Sequence, residues 1–405
     1  MGSLKYDDVR DVIYGATLLG AGGGGSMKFG LKMLEAYVET HGGPDCIKVS
    51  VCSPKDMDDG AYAAVTAAMG APTKIPGDFS PWVLNAFNFY SCVQSFSQRN
   101  IQYSMAVELG GFNTFIPMLV SMEKKLSLLD VDGSARAVPA LTTLLFNVNG
   151  YNTLPIALAD YIEGSSDFAK VLLDFPKDAQ NAALAEDAAR AYLSTEMNQI
   201  AGLCGWMIKK EDFSAKRLPF GSISLAAAVG NVLRTTPAAD VFSTLTAQGI
   251  VKNKGISGYS VADGSIKTDG GFDKGYVLFY NKSGGNYFRF DFQNETLLVS
   301  YGSDPTKLKP LMTAPDIICS FQISDLKDGN IPLTNADYFD DKGNVKKGLE
   351  VMLGLIQVSD VWWYSGYNTV NKIWQQYFTN VGYTGDIIQF GSAVKAAEED
   401  GIFDQ

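Results

Sequence analysis

Apolar and polar positions in the first part of the chain follow the pattern of an α/β layered domain. Apolar side chains recur at helical spacing in residues 7–19, and a second helix is predicted over residues 27–38. Four short apolar runs predict strands that each end at a polar or glycine-rich turn, at residues 47–51, 62–68, 104–108 and 126–129. Ligands bind at such strand ends in open α/β sheets, so we expect the functional site there.

The pattern changes after a short polar join at residues 163–167. Residues 166–250 are rich in Ala and Leu at helical spacing, which predicts helices. Residues 251–355 carry β-branched and aromatic runs separated by Gly, Asn, Asp and Ser, which predict a β-rich unit. An aromatic segment follows at 356–405.

The clearest local prediction in the second half is a β-hairpin. Two aromatic and β-branched runs, 276–280 and 287–290, flank a turn at 281–285. We therefore predict an α/β N-terminal domain over residues 1–165. A mixed α+β C-terminal domain with a β-rich unit is predicted over residues 166–405.

Composition and charge exclude several classes of protein. Of the 405 residues, 46% are hydrophobic and only 19% are charged, so the chain is expected to fold. The net charge of −11 disfavours nucleic acid and anionic membrane surfaces as partners. No apolar signal core or membrane-spanning run is present, and five widely spaced cysteines fit a reducing compartment. We expect a cytoplasmic protein.

The single histidine limits the chemistry. His41 lies in a predicted turn after a helix, where a solvated side chain is the simplest interpretation. Zinc sites and catalytic triads usually use histidine, so neither is favoured. We predict no cofactor, although a carboxylate-rich site could also take a divalent cation.

A glycine-rich loop at residues 20–26 precedes the second predicted helix. Backbone amides at a helix N-terminus attract anions, so Gly23, Gly24 and Gly25 are candidates for substrate binding. The loop lacks the lysine of a phosphate-binding P-loop. A tight turn between two helices with close backbone packing explains the glycines equally well.

Carboxylates at two predicted strand ends are candidates for acid/base chemistry. Glu108 precedes Gly110, Gly111 and Asn113, and Asp130 and Asp132 point to one side of an extended segment. Like charges placed this closely raise one pKa. Closing a turn or capping a helix is the alternative role for either aspartate.

Two further features have a structural interpretation as well as a functional one. Cys204 could be a nucleophile, but a thiolate needs a nearby cation or helix N-terminus, and a buried inert thiol is the simpler interpretation. The aromatic residues between 362 and 378 fit a hydrophobic core or a subunit interface, and a substrate lid is a third role.

Taken in order, the motifs resemble one known family, the S-methyl thiohydantoin desulfurase family. The resemblance covers about residues 11–355. The motifs that carry it are Leu18-Leu19-Gly20 with the glycine run, Met69-Gly70-Ala71-Pro72-Thr73, Glu108-Leu109-Gly110-Gly111-Phe112-Asn113, Asp130-Val131-Asp132-Gly133 with Arg136, Ala137 and Pro139, Gly221-Ser222-Ile223-Ser224, Phe292-Gln293-Asn294-Glu295 and Pro315-Asp316.

The resemblance implies a two-domain hydrolase that acts on a small five-membered thiohydantoin or hydantoin-like ring. In the family's reaction, water replaces a methylthio group and methanethiol leaves. Two departures leave the exact substrate open. Ser26 and Met27 stand where the family commonly has Asp-Pro, and Thr142 and Thr143 lie in a stretch that usually carries Glu and Gln.

Roles for the candidate residues follow from this reaction. Asp132 or Asp130 is the expected general base, with Glu108 as its acid partner. Arg136 is expected to hold a substrate carboxylate and Asn113 the ring. Amides of the glycine turns, including Gly70, would stabilise developing charge, and Glu295 is a weaker candidate from the second domain.

Two other functions remain open at this point. A cyclic-amide ring-opening hydrolase would use the same residues without releasing a thiol. A non-catalytic partner of a hydantoinase-type subunit would use the aromatic segment as its contact surface. In each case we expect a homo-oligomer.

Overall fold

The computed structural model describes residues 2–70, 78–165, 167–175, 182–197, 199–269, 272–324, 327 and 329–402. Within these ranges the chain forms two sheets of eight strands each, and helices pack on both faces of the first. The strands of the first sheet are β1 (Ser3–Leu4), β2 (Val49–Cys52), β3 (Tyr62–Gly70), β4 (Ile101–Ala106), β5 (Ser127–Leu129), β6 (Ile156–Ala159), β7 (Lys170–Leu173) and β8 (Ile200–Lys209). The strands of the second sheet are β9 (Asn253–Asp269), β10 (Phe272–Asn281), β11 (Tyr287–Gln293), β12 (Glu295–Gly302), β13 (Lys309–Thr313), β14 (Ile317–Gln322), β15 (Ile331–Pro332) and β16 (Glu350–Ile356).

The helices include the two predicted at residues 7–19 and 27–38. They are α1 (Tyr6–Leu19), α2 (Met27–Thr40), α3 (Ser80–Ser95), α4 (Phe115–Lys124), α5 (Leu145–Val148), α6 (Ala182–Glu196), α7 (Ser222–Thr235), α8 (Val241–Ala247), α9 (Tyr367–Phe378) and α10 (Phe390–Glu399). None of the helices in the described residues is both long enough and apolar enough to cross a membrane.

The first sheet is mixed. Its strand order is β1-β2-β5-β4-β3-β8-β6-β7. Strands β2, β5, β4 and β3 are parallel neighbours, so the carboxyl ends of β3 and β4 lie at one edge. This arrangement places the ends of the predicted strands together, as expected for a ligand-binding edge.

Strand β8 lies in the segment that the sequence predicts to be helical. It pairs antiparallel with β3, so the first sheet takes strands from both sides of residue 165. Its Ala and Gly residues serve close packing, since a Cβ at Gly202 would lie 2.2 Å from the carbonyl oxygen of Trp82 in α3. The small residues that this buried strand needs for packing are also common in helices, so its composition predicted a helix.

The second sheet is antiparallel throughout, in the order β13-β12-β11-β10-β9-β16-β14-β15. The predicted hairpin is confirmed as β10 and β11, which pair Tyr280 with Tyr287 at the turn. The predicted fold class is also confirmed, with an α/β domain that contains a mixed sheet and a β-rich domain that carries helices.

The aromatic C-terminal segment packs into the protein's own core. Trp362, Trp374 and Phe378 are fully buried among side chains of the first sheet and α6. Of the roles considered from the sequence, the hydrophobic core fits these three residues. Burial leaves them unable to form a contact surface for a partner, although Tyr364 and Tyr367 beside them are exposed.

Helices α1 and α7 join the two halves of the chain through backbone contact. A Cβ at Gly230 would lie 1.7 Å from the carbonyl oxygen of Asp11, and one at Gly15 would lie 1.8 Å from that of Ala226. The two helices can approach this closely only because neither glycine carries a side chain.

The glycine contact predicts the effect of one methyl group. Gly230→Ala should destabilise the protein by at least about 1–3 kcal/mol, because the helices must separate. Gly391→Ala is the matched control, since Gly391 is the second residue of α10 and has open space around it, and alanine there should be neutral or stabilising by about 0.5–1 kcal/mol. Thermal unfolding of both variants measures this, and equal stability of the two would contradict the contact.

Candidate functional site

A cavity of about 420 Å³ lies between the two domains. Five segments form most of its wall, at residues 22–26, 67–70, 138–141, 294–295 and 334–337. The first three belong to the α/β half of the chain and the last two to the β-rich domain. The predicted edge of the first sheet is therefore only one side of the site.

The glycine loop between α1 and α2 forms the middle of the wall. Gly24 and Gly25 have φ angles of +68° and +79°, a backbone region that favours glycine. Gly23 has no room for a side chain, because a Cβ there would lie 2.1 Å from Oε1 of Glu295. All three glycines predicted to bind substrate thus line the cavity.

The β-rich domain holds this loop in place. The backbone amides of Thr296 and Asn335 donate to the carbonyls of Ala21 and Gly22 at 2.8 and 2.9 Å. The Asn335 side chain donates to the carbonyl of Asn294 at 2.8 Å and accepts from the Thr296 hydroxyl at 3.1 Å. Asn335 therefore ties the glycine loop to the turn that begins β12.

Glu108 follows the end of β4 and lines the cavity. Its Oε2 accepts the Val138 amide at 3.0 Å, and its Oε1 accepts Nδ2 of Asn113 at 2.9 Å. Burial raises the pKa of Glu108 to about 7, and these two hydrogen bonds only partly oppose that rise. The Asn113 side chain also accepts the Ala68 amide at 3.1 Å, so it is held in place and orients Glu108. From the sequence, Asn113 was expected to bond the substrate ring.

Glu295 approaches the cavity from the β-rich domain. It follows Asn294, which has a φ of +57°, and its side chain is almost fully buried. Its Oε2 has no hydrogen-bond partner among the described residues. Burial raises the pKa of Glu295 well above its usual value, and the negative charge of Glu108 raises it further. The cavity thus holds two carboxyl groups whose pKa values are raised by burial.

Arg136 is fully buried outside the cavity wall. Its Nε donates to the carbonyl of Ala137 at 2.7 Å, and Nη1 donates to the carbonyls of Pro315 and Asp316, both at 2.9 Å. Nη2 donates to the carbonyl of Thr296 at 3.3 Å. These bonds correct the expectation that Arg136 holds a substrate carboxylate, because its donors join the two domains.

Asp130 and Asp132 also lie outside the cavity wall, so the structure corrects the expected acid/base pair. Asp130 Oδ1 accepts the amides of Ile223 and Ser224 at 2.8 and 3.0 Å, which caps α7. Asp132 Oδ2 accepts the amides of Ser134 and Ala135 at 2.9 and 2.8 Å, which closes a turn. The alternatives considered from the sequence, capping and turn closure, describe both aspartates.

Cys204 lies in the middle of β8, fully buried. Burial raises the pKa of its thiol far above the usual value, so the inert thiol is the better interpretation. Gly70 lies at the end of β3 and lines the cavity as expected. The rest of its motif, Ala71, Pro72 and Thr73, falls outside the described residues.

The two departures from the family pattern have different positions. Ser26 lines the cavity at the start of α2, and its side chain does not cap the helix. The Thr142 hydroxyl bonds the hydroxyl of Tyr377 at 2.6 Å, whereas Thr143 bonds the backbone of its own turn. His41 ends α2, stacks on Tyr37 and does not line the cavity.

Three cavity residues were missed from the sequence. Asn335 stands in a Thr-x-x-Asp capping box, in which Asp337 accepts the Thr334 amide at 2.8 Å. That motif is a detectable signal for a helical turn, although it carries none for a site. Glu186 and Arg190 line the cavity from α6, where i,i+4 spacing is typical of any helical ion pair and carries no signal for a site.

The sequence left a divalent cation open among Glu108, Asp130 and Asp132. Within the ranges that the structure describes, no group of three or more His, Cys, Asp and Glu side chains is arranged to hold a metal ion. Glu108, Glu186 and Glu295 are the buried glutamates of the cavity wall, and Glu186 is paired with Arg190.

Asp132 gives a prediction about stability and pH. Burial raises its pKa from 3.8 to about 7, so between these values the folded state binds more protons than the unfolded chain. Stability therefore decreases as the pH rises through this window, by on the order of 4 kcal/mol for this group alone. Asp132→Asn should flatten the dependence of the unfolding free energy on pH between 4 and 7.

The matched control is Asp304→Asn. Asp304 is exposed, and hydrogen bonds from Thr306 lower its pKa, so it is already ionised across the window. In Asp304→Asn, the slope of the unfolding free energy against pH should equal that of the wild type. Chemical denaturation at several pH values measures all three proteins, and an unchanged slope in Asp132→Asn would contradict the assignment.

Comparisons with known proteins agree with this architecture. Two family models match the chain, described as the S-Me-THD-like N-terminal domain at residues 7–166 and the S-Me-THD-like C-terminal domain at residues 179–365. A search of curated proteins finds no match. A crystal structure of a protein from Chromobacterium violaceum, solved by a structural genomics consortium, aligns with a TM-score of 0.78 at 21% identity, over 96% of this chain and 100% of that chain. Because the two family models together cover most of its length, the chain belongs to the S-methyl thiohydantoin desulfurase-like family.

Proposed function

We propose that this protein hydrolyses a small five-membered thiohydantoin or hydantoin-like ring, with water replacing a methylthio group. The observation that carries the proposal is a pair of buried glutamates with raised pKa values, Glu108 and Glu295, in one cavity wall. Family membership favours this substrate class. The cavity volume of about 420 Å³ is in the range of sites that enclose a small molecule.

The reaction needs a base for water and an acid for the departing group. The oxygen of water bonds to the ring carbon between the two nitrogens, the carbon–sulfur bond breaks, and a proton accompanies the sulfur as methanethiol. The ring keeps the oxygen as a carbonyl and a proton on nitrogen. The barrier falls when positioned side chains move these protons.

Glu108 is suited to be the base. Its pKa of about 7 leaves a large fraction ionised at neutral pH, yet keeps it basic enough to accept a proton from water. The Val138 amide and the Asn113 side chain hold both carboxylate oxygens in position. An oriented base of this kind needs little reorganisation during the reaction.

Glu295 is suited to be the acid. Its pKa is raised well above that of an ordinary glutamate, which favours the protonated form, and its Oε2 has no hydrogen-bond partner among the described residues that would hold the proton. Contact with Gly23 keeps this acid beside the glycine loop. The two glutamates thus divide the base and acid roles that the sequence had assigned within one domain.

The glycine loop supplies donors for developing negative charge. The amides of Gly24, Gly25 and Ser26 donate to no other described group, and the loop leads directly into the N-terminus of α2. Backbone amides without partners at a helix N-terminus attract anions. These amides would stabilise charge on the ring as water adds.

A ring-opening hydrolase would use the same carboxyl pair. The two reactions differ in their products, because only the displacement releases a thiol. Incubating the purified protein with an S-methyl thiohydantoin and a thiol-trapping dye distinguishes them. Loss of the ring without trapped thiol would favour ring opening. An unchanged substrate with no trapped thiol would contradict both reactions.

Substitutions in the two glutamates test the site. Glu108→Gln and Glu295→Gln should each reduce kcat by about 10²–10⁴-fold, as expected for loss of a positioned base or acid. Asp132→Asn, a buried carboxylate outside the cavity, should stay within about threefold of the wild type. Methanethiol release measures all three, and a larger loss in Asp132→Asn than in Glu108→Gln would contradict the assignment.

The pH dependence tests the division of roles. Because the base must be ionised, kcat/KM should rise with pH through about 7, where Glu108 loses its proton. Because the acid must be protonated, the rate should fall again where Glu295 ionises, well above the usual range of a glutamate. Glu295→Gln should remove the falling limb and keep the rising one. A flat profile between pH 5 and 9 would be incompatible with both roles.

A further inference from the structure

We infer that Arg190 recognises an anionic substituent, such as a carboxylate, carried by the substrate ring; this inference rests on the proposed function. Arg190 lies on α6 and contributes to the cavity wall. It is part of the same electrostatic site as the glutamate pair, because its positive charge opposes the raised pKa of Glu295. It lies outside every motif that predicted a binding residue.

The guanidinium of Arg190 is fixed on one edge and one face. Its Nε and Nη2 donate to Oε1 of Glu186 at 2.9 and 2.7 Å. Its Cζ lies 4.1 Å from the ring centroid of Phe272, which belongs to the β-rich domain. A planar cation held in this way loses little entropy when it binds a ligand.

Glu186 is itself anchored. Its Oε2 accepts the Leu141 amide at 2.8 Å, and its side chain is almost fully buried. One carboxylate thus orients Arg190 and ties it to the loop at residues 138–141. Val138 of that loop donates to Glu108, so the cation keeps a defined position relative to the proposed base.

One edge of Arg190 remains available. Nη1 donates to no other group in the described parts of the chain, and the side chain is 24% exposed. Guanidinium donors bind carboxylates through short, charge-assisted hydrogen bonds. The free edge at the cavity therefore selects for a negatively charged group on the ligand.

The other cations near the cavity are less suited to this role. The guanidinium of Arg136 donates hydrogen bonds to backbone carbonyls between the domains. Nζ of Lys346 donates to the carbonyl of Asp337 at 2.8 Å. Lys28 is exposed on α2, where water competes for its charge. Arg190 is the cation of this wall that is both oriented and open to a ligand.

Two probes of equal size test the inference. Hydantoin-5-acetic acid and hydantoin-5-acetamide differ in charge at pH 7.5, and calorimetry gives the Kd of each. The wild type should bind the acid at least about tenfold more tightly than the amide. Arg190→Met, which keeps an apolar stem against Phe272, should lose this preference and bind the amide as before.

Removing Arg190 leaves the Glu186 carboxylate without its partner, and that charge would itself repel the acid. The double variant Arg190→Met with Glu186→Gln removes both charges and should still show no preference. Glu186→Gln alone keeps an acceptor for the Leu141 amide and should retain the preference. Lys28→Met is the matched cation control. It should change the preference for the acid over the amide by less than about twofold.

The outcomes separate this inference from the proposed function. Equal binding of both probes by the wild type, or an unchanged preference in the double variant, would overturn the role of Arg190 and leave ring binding intact. Binding of neither probe by the wild type would count against both. Loss of the preference in Lys28→Met would move the subsite to α2 and also overturn the assignment.

Discussion

The buried guanidinium of Arg136 is the interaction on which the rest of the site depends. It reaches from the α/β half of the chain to three backbone carbonyls of the β-rich domain, and the Trp374 ring lies 5.3 Å from its Cζ. A buried cation requires compensating negative charge. Asp316, with a pKa raised by burial to about 6, is mostly ionised at neutral pH and supplies it. Removing the guanidinium would leave these acceptors unpaired between the domains.

This joint explains why one cavity can hold two carboxyl groups of different origin. Glu108 comes from the end of a parallel strand, and Glu295 comes from a turn of the antiparallel sheet. Asn335 bonds both flanks of Glu295 and the glycine loop, so the distance between the two domains is set at the site itself. Burial disfavours ionisation of both acids, and a negative charge on Glu108 raises the pKa of Glu295 further.

The sequence predicted the local parts of this arrangement and missed the parts made by packing. Glu108 and the glycine loop were recognisable because a strand end and a run of glycines are local signals. Asp130 and Arg136 were misjudged because capping and domain joining use the same side chains as catalysis and binding. Asn335, Glu186 and Arg190 gave no site signal, since their position in the cavity depends on how α6 and the second sheet pack against the first.

The central claim is that burial in one cavity raises the pKa of two glutamates from different domains. Carboxyl ¹³C NMR of glutamate-labelled protein measures this directly as a function of pH. We expect one carboxyl signal that titrates near pH 7 and a second that titrates well above the usual range of a glutamate. In Glu108→Gln the first signal should vanish and the second should move to lower pH. Titration of every glutamate below about pH 5.5 would contradict the account.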